Sequence, residues 1–473
     1  VSTPVVYDNK LYIGVGQDPE HDKGVGHLWC IDITKVPANP DKDLSPANDN
    51  FDPKASENKN SGLVWHYGGA ADQDYDRNYY FGRTMSTVAV HDGLLYTAEY
   101  DGFVHCLDAK TGKEIWKVKV AEWKEGYKGV VAPIIANGVL VSGMGGGDST
   151  TRGFIEGYDP ETGKRLWRTH TVPAPGEKGS ETWPNANKPD AWKYGGGATW
   201  QYANYDPQLD LIYVGTGNAE PYNPSYREGQ DSLYTASIIA LRPKTGEMVW
   251  HYQYVPNDSY DYDATAESIL ADMTVEGKPR KVLINPHKNG FLYVLDRTNG
   301  QLIAANPYVK VTWATHIDMK TGRPVLTDIL QKAMAGEQVT FWPARGTNAT
   351  LAAFNPNTGL VYLNAWHKAR IMKFVEAKLN LGAGYTGVET TFTTPAGEPE
   401  GHHKAINPLT GKEVWSVPFH DAVNSAGMLA TDGGLLFTGK LTGEVIALDI
   451  ENGKRSEERR VGKECRSRWS PYH

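Results

Sequence analysis

One short turn recurs along the chain and limits what the sequence can fold into. It reads Asp or Asn, two residues, Thr-Gly, and then, after three more residues, Trp. Copies run from Asp108 through Thr111-Gly112 to Trp116, from Asp159 through Thr162-Gly163 to Trp167, and from Asn407 through Thr410-Gly411 to Trp415. Lys244-Thr245-Gly246 with Trp250 is a further copy, and Asn299-Gly300, Thr358-Gly359 and Asn452-Gly453 are weaker ones. In such a turn the Asp or Asn caps the backbone, the Gly supplies positive φ, and the Trp packs between neighbouring sheets. Alternating apolar runs such as Leu211-Ile212-Tyr213-Val214 and Phe291 to Leu295 lie between the copies. Self-similarity at roughly 40–50 residues signals the blades of a propeller. Only Leu326 to Met334 reads as a short helix, so a helical solenoid does not fit. The expected fold is an all-β propeller.

Composition narrows the classes further. A net charge of −8 argues against a nucleic-acid partner, because phosphate binding needs a basic face. No apolar run approaches the roughly 18 residues of a membrane span. Three cysteines without a C-x-x-C-H string exclude a disulfide framework and covalent c-type haem within this sequence. The chain opens at Val1 to Tyr7 with neither an initiator Met nor a signal-peptide pattern, as a processed chain or a fragment would. Pro37 to Ser61, rich in Asp, Asn, Lys and Pro, reads as a long surface loop. Residues 1–454 read as one propeller. From Arg455 to His473 the sequence turns basic and patternless and resembles a translated sequencing adapter, so the tail is expected to be non-native. The last blade is then expected to stop at Lys454, leaving an imperfect seam where Val1 to Tyr12 would face Leu435 to Leu448.

Four polar motifs punctuate the β-rich background. They are Gly145-Gly146-Gly147-Asp148, Gly195-Gly196-Gly197-Ala198-Thr199-Trp200, Gly215-Thr216-Gly217-Asn218 and Asp261-Tyr262-Asp263. Together they supply three carboxylates, one amide oxygen and one indole face. Hard cations prefer oxygen ligands, and planar rings stack on aromatic side chains. The set therefore suits a hard metal ion beside a flat aromatic cofactor, although each motif alone would read as a glycine turn or a blade-packing Trp.

From about Ala121 to Lys454 the chain resembles the pyrroloquinoline quinone (PQQ)-dependent, or quinoprotein, alcohol dehydrogenases. The matching strings include Arg152-Gly153-Phe154, Gly195 to Trp200, Tyr213 to Asn218, Asp258 to Asp263, Lys288 to Arg297 and Ser425-Ala426-Gly427. The resemblance implies an eight-bladed propeller with PQQ near its axis. Residues 1–115 look instead like a generic PQQ-like propeller repeat, and the family's adjacent cysteine pair has no counterpart. A join of two related propeller sequences near Lys110 to Val120 would explain this, as would a divergent enzyme. A non-catalytic propeller acting as scaffold or assembly factor is the alternative reading.

The resemblance also implies roles. Asp148 falls at the carboxylate metal ligand, usually Glu in the family, and Asn218 at the amide ligand. Asp261 matches the catalytic base and a metal ligand. Asp263 marks the lanthanide-dependent members, whose trivalent ion calls for more negative charge than Ca²⁺. In an extended segment residues i and i+2 project to one side, which would bring Asp261 and Asp263 to one ion. Trp200 would stack on the quinone, Lys288 would stabilise the developing oxyanion, and Asn348 would contact the cofactor. The implied reaction oxidises a small primary alcohol with PQQ and a lanthanide(III) ion or Ca²⁺. A separate cytochrome c-type acceptor and a periplasmic location follow from the same resemblance.

Overall fold

The computed structural model describes residues 2–16, 24–35, 61–184, 188–264, 267–348, 350–420, 426–440 and 442–460. Most of the loop expected from Pro37 to Ser61, together with Ser425, lies outside them. Within the described residues, seven four-stranded antiparallel sheets follow one another as propeller blades. Blade 1 runs from Val5–Tyr7 to Leu63–Gly68, blade 2 from Ala89–His91 to Glu114–Lys119, and blade 3 from Ile134–Ala136 to Arg165–His170. Blade 4 spans Asn204–Asp206 to Met248–Gln253, and blade 5 spans Ile269–Val275 to Leu302–Pro307. Blade 6 begins at Ala353–Asn355 and ends at Glu413–Phe419. Its second and third strands, Leu360–Trp366 and Gly401–Ile406, pair directly although the chain between them leaves the blade. That excursion, with Val339–Phe341, forms a separate sheet from Ala369–Phe374 and Val388–Thr393. The one described α-helix, Ile329–Met334, falls inside the stretch that read as helical.

The recurring turn is the joint between blades. Each Trp stands on the fourth strand of its blade and lies flat on the turn Gly of the next. A Cβ at Gly112 would come within 2.6 Å of the Trp65 ring, and one at Gly163 within 2.7 Å of Trp116. Those glycines have φ of 71° and 70°, so both the conformation and the close approach require Gly. Four of these indoles also donate to a carbonyl of the neighbouring turn, Trp65 to Ala109 at 3.0 Å, Trp116 to Pro160 at 2.9 Å, Trp167 to Pro243 at 2.8 Å and Trp415 to Ile450 at 3.0 Å, whereas Trp250 Nε1, over Gly300, has no partner among the described residues. Between blades 5 and 6, Ala304 stands where the Trp would be, and Asn306 bonds to Leu409 O at 3.3 Å instead.

Blade 7 corrects one expectation. It does not break off at Lys454, because Arg455–Arg460 pairs with Glu444–Asp449 as its fourth strand. The Asp449 turn, closed by Gly453 N–H to Asp449 O at 2.9 Å, folds the chain back on itself. Whatever extended residues follow can then pair through their backbones. Among the described residues no sheet combines strands from the two ends, and Val5–Tyr7 pairs with Lys10–Gly16 alone. The position four residues after Gly453 is Glu457, so the closing joint has no indole to dock. Lys110 to Val120 lies in blade 2, where Glu114–Lys119 pairs with Phe103–Asp108.

Two predictions follow from the packing. Trp167→Ala removes an indole clamped between blades 3 and 4 and is expected to cost about 3–5 kcal/mol in urea unfolding. His403 is buried beside Asn364 at 2.6 Å, and burial, reinforced by Lys440 and His402, lowers its pKa to about 4. The unfolded chain then takes up a proton below about pH 6.5 that the folded chain refuses until about pH 4, so stability falls as pH drops through that window. His403→Gln should reduce the loss between pH 7 and pH 5 by about 2 kcal/mol, read from urea midpoints.

Candidate active site

Loops from blades 3 to 6 converge at one place. Gly145 to Asp148 follows the second strand of blade 3, Val139–Gly143, and Gly215 to Asn218 follows the second strand of blade 4, Leu211–Gly215. The Gly195 to Trp200 segment is woven between them. Thr199 N–H donates to Met144 O at 3.1 Å, Gly197 N–H to Asn218 O at 2.9 Å, and Gly217 N–H to Ala198 O at 2.8 Å. The weave leaves no room for side chains: Gly196 has φ of 76°, and a Cβ there would stand 2.6 Å from Asn218 O. The glycine strings therefore place backbone against backbone, and Asp148, Trp200 and Asn218 leave the weave at its edge.

The Asp258 to Asp263 loop connects blades 4 and 5. It is not extended, as the two-residue spacing had suggested, because Asp261 has φ of 63°. The buried Asp258 carboxylate imposes this shape by accepting from Tyr260 N at 3.0 Å and Tyr262 N at 2.8 Å. Burial pushes Asp258 up to about 7. Tyr260 and Tyr262 pack around Trp313 with ring centroids 5.3 and 5.2 Å away, which anchors the loop in the core.

Asp261 and Asp263 nevertheless meet, through Lys288. Its Nζ lies 2.6 Å from Asp261 Oδ1 and 3.3 Å from Asp263 Oδ2, and all three side chains are buried. Arg370 Nη1 approaches Asp261 Oδ2 at 3.2 Å, and Arg345 Nη2 lies 3.6 Å away. Burial raises the Asp261 pKa, but Lys288, then Arg370 and Arg345, outweigh it and hold the group below the usual carboxylate range. Asp263 goes the other way, to about 6, because burial and the charges of Asp261 and Asp148 exceed the pull of Lys288. Asp263 also accepts from Asn218 N at 2.8 Å and from Trp200 Nε1 at 3.3 Å. Asp148, exposed at the edge of the weave, bonds to Tyr222 OH at 2.9 Å, and desolvation by the surrounding protein with the nearby Asp261 charge raises its pKa. Asn348 is the outermost member. Gly346 N–H reaches Lys288 O at 2.8 Å, and Asn348 Oδ1 is a buried acceptor without a hydrogen-bond partner among the described residues.

The structure thus brings six of the seven predicted residues into one neighbourhood, whereas no described hydrogen bond joins the Asn348 side chain to them. Among the described residues, however, no three Asp, Glu, His or Cys side chains already close into a metal cage. The Lys288 ammonium stands between two of the carboxylates. What fits a hard cation is the donor chemistry, an all-oxygen set from Asp148, Asn218, Asp261 and Asp263. Sequence reasoning missed Arg345, Arg370, Tyr222 and Glu220. Glu220 and Tyr222 sit just beyond the Gly215 motif and Arg345 just before Asn348, so proximity to motifs could have flagged them; Arg370, more than a hundred residues from Asp261, carries no local signal.

Known proteins resemble this chain in sequence and fold. Residues 121–317 match the β-propeller domain of glucose, ethanol and alcohol dehydrogenases, and residues 399–467 match outer membrane protein assembly factor BamB. The chain is 33% identical to quinohemoprotein alcohol dehydrogenase ADH-IIG of Pseudomonas putida, across 96% of this chain and 68% of that protein. The chain belongs to the quinoprotein alcohol dehydrogenases. It is 40% identical to quinohemoprotein alcohol dehydrogenase ADH IIB of Pseudomonas putida over 78% of this chain and 55% of that one. Against the lanthanide-dependent methanol dehydrogenase of Methylacidiphilum fumariolicum (strain SolV) the identity is 36%, covering 79% and 64%. The solved europium-containing methanol dehydrogenase superposes with a TM-score of 0.82 at 30% identity, over 97% of this chain and 78% of that one. The chain spans little more than half of ADH IIB and just under two thirds of the lanthanide-dependent enzyme. Unlike the family pattern of adjacent cysteines, Cys30 and Cys106 are free, buried and on different blades of this quinoprotein. No described helix is long and apolar enough to cross a membrane.

Because Asp258 shapes the loop through two backbone bonds, Asp258→Asn turns one acceptor into a donor facing an N–H. The expected cost is about 1–3 kcal/mol of stability, measured by urea unfolding.

Proposed function

We propose that this chain is the propeller of an alcohol dehydrogenase that oxidises small primary alcohols to aldehydes with bound PQQ and a metal ion. The observation that carries the reading is the buried Asp261 carboxylate, held 2.6 Å from Lys288, which also contacts Asp263. Asp148, Asn218, Asp261 and Asp263 would hold the metal. Trp200, Lys288 and Asn348 would hold the cofactor, and the unpartnered Oδ1 of Asn348 and Nε of Arg345 are polar atoms still lacking a ligand. When bound, PQQ supplies a carbonyl that accepts hydride, and the metal polarises it.

The chain's own residues handle the proton and the charge. Asp261 takes the hydroxyl proton of the alcohol as general base. Lys288, Arg370 and Arg345 keep it ionised until then, and Lys288 also donates toward the oxygen that gains charge. The proton thus goes to Asp261 while the two electrons leave with the hydride. Asp263 favours a lanthanide(III) ion over Ca²⁺, since a second carboxylate two residues from the base offsets the additional positive charge. A separate cytochrome c-type acceptor and a periplasmic setting complete the proposal. A propeller without chemistry is the second reading, favoured by the match of residues 399–467 to BamB.

Reconstitution with PQQ and either La³⁺ or Ca²⁺, followed by dye reduction with methanol or ethanol, tests the proposal. Turnover is expected, higher with La³⁺, and Asp261→Asn should lower it about 10²–10⁴-fold. No turnover with either ion would overturn the enzymatic reading of this chain.

A further inference from the structure

Glu220, like Asp258, is a deeply buried carboxylate near the site, 1% exposed. Its backbone is tied into the glycine weave by a 3.0 Å bond from Glu220 N–H to Gly195 O. Its Oε1 accepts from Asn218 Nδ2 at 2.7 Å, whereas Oε2 is buried without a hydrogen-bond partner among the described residues. Burial, with the Asp148 charge, raises the Glu220 pKa well above the ordinary carboxylate range; Oε1 can accept in either protonation state, and an amide NH₂ only donates. The bond therefore fixes which way the Asn218 amide turns, and its oxygen must face away from Glu220. That oxygen points to the Asp148 turn: a Cβ on Gly147 would lie 3.6 Å from Asn218 Oδ1. Alternate residues 218, 220 and 222 serve one cluster, since Tyr222 OH bonds to Asp148 from the same segment.

We infer that Glu220 is a positioning residue for the metal site, locking the Asn218 amide so that its oxygen, not its nitrogen, is offered to the cation. The inference rests on the metal reading proposed above. Without Glu220 the amide can flip and present a donor to a cation, which it cannot coordinate. Partners of this kind orient ligands, and removing one typically costs about 10–100-fold in metal affinity.

Terbium(III) binding to the PQQ-free protein provides a readout that does not depend on turnover. Trp200, bonded to Asp263 at 3.3 Å, is placed to sensitise Tb³⁺ emission. Glu220→Ala should weaken Tb³⁺ binding about 10–100-fold, with no fall in the melting temperature of the metal-free protein. Glu220→Gln retains an acceptor oxygen for Asn218 Nδ2 and should recover most of the affinity, even if the alanine variant folds poorly. In a double-mutant cycle, adding Glu220→Ala to Asn218→Ala should cause little further loss, because the two act through one contact. Binding by Glu220→Ala within twofold of the parent, or full additivity in the cycle, would overturn the inference. If the parent itself bound no Tb³⁺, the metal reading would fail, and this inference with it.

Discussion

The docking of a tryptophan from one blade onto the turn glycine of the next is the contact on which the architecture depends. It joins sheets that share no backbone ladder, combining a large buried ring with a single indole hydrogen bond. Because it repeats, each blade is held at the same angle to its neighbour, and the loops at one end are brought together. The glycine weave between blades 3 and 4 then converts that rough convergence into fixed positions for Asp148, Trp200 and Asn218. Where the tryptophan is missing between blades 5 and 6, Asn306 bonds to the neighbouring turn instead.

Electrostatics decide what the gathered side chains can do. Asp261 and Asp263 are buried beside each other and near the exposed Asp148, so the three carboxylates repel, and three cations aimed at Asp261 offset that repulsion. Asp261 draws Lys288, Arg370 and Arg345, and so remains ionised while Asp148 and Asp263 are pushed toward the neutral form. This asymmetry is what the proposed role of Asp261 as base relies on. It also leaves a surplus of oxygen donors that a cation would satisfy. In the metal-free chain, Lys288 partly fills that role from between Asp261 and Asp263.

Much of this was legible in the sequence because it is written locally. The turn with its Thr-Gly and Trp encodes the blades, and the glycine strings encode close backbone approach. The spacing of Asp261 and Asp263 suggested one shared ion reached through a pleat; in the structure the two share the Lys288 ammonium instead, because Asp261 is left-handed and the loop is shaped by Asp258. The extent of blade 7 was misread because composition speaks to side chains, whereas an outer strand needs only backbone groups at the right place. Arg370 could not be read at all, since its contact with Asp261 depends on the path of a distant insertion.

That insertion changes how the site can vary. The sheet carrying Arg370 is spliced between two strands of blade 6 that pair without it, and its neighbouring loop also touches the Asp148 turn, where Tyr385 N–H donates to Asp148 O at 2.9 Å. The ring is therefore a chassis, and the splice is an attachment that reaches over the reactive groups. Changes in its length or composition could retune what enters and how strongly Asp261 is held, while the blades beneath keep their registers.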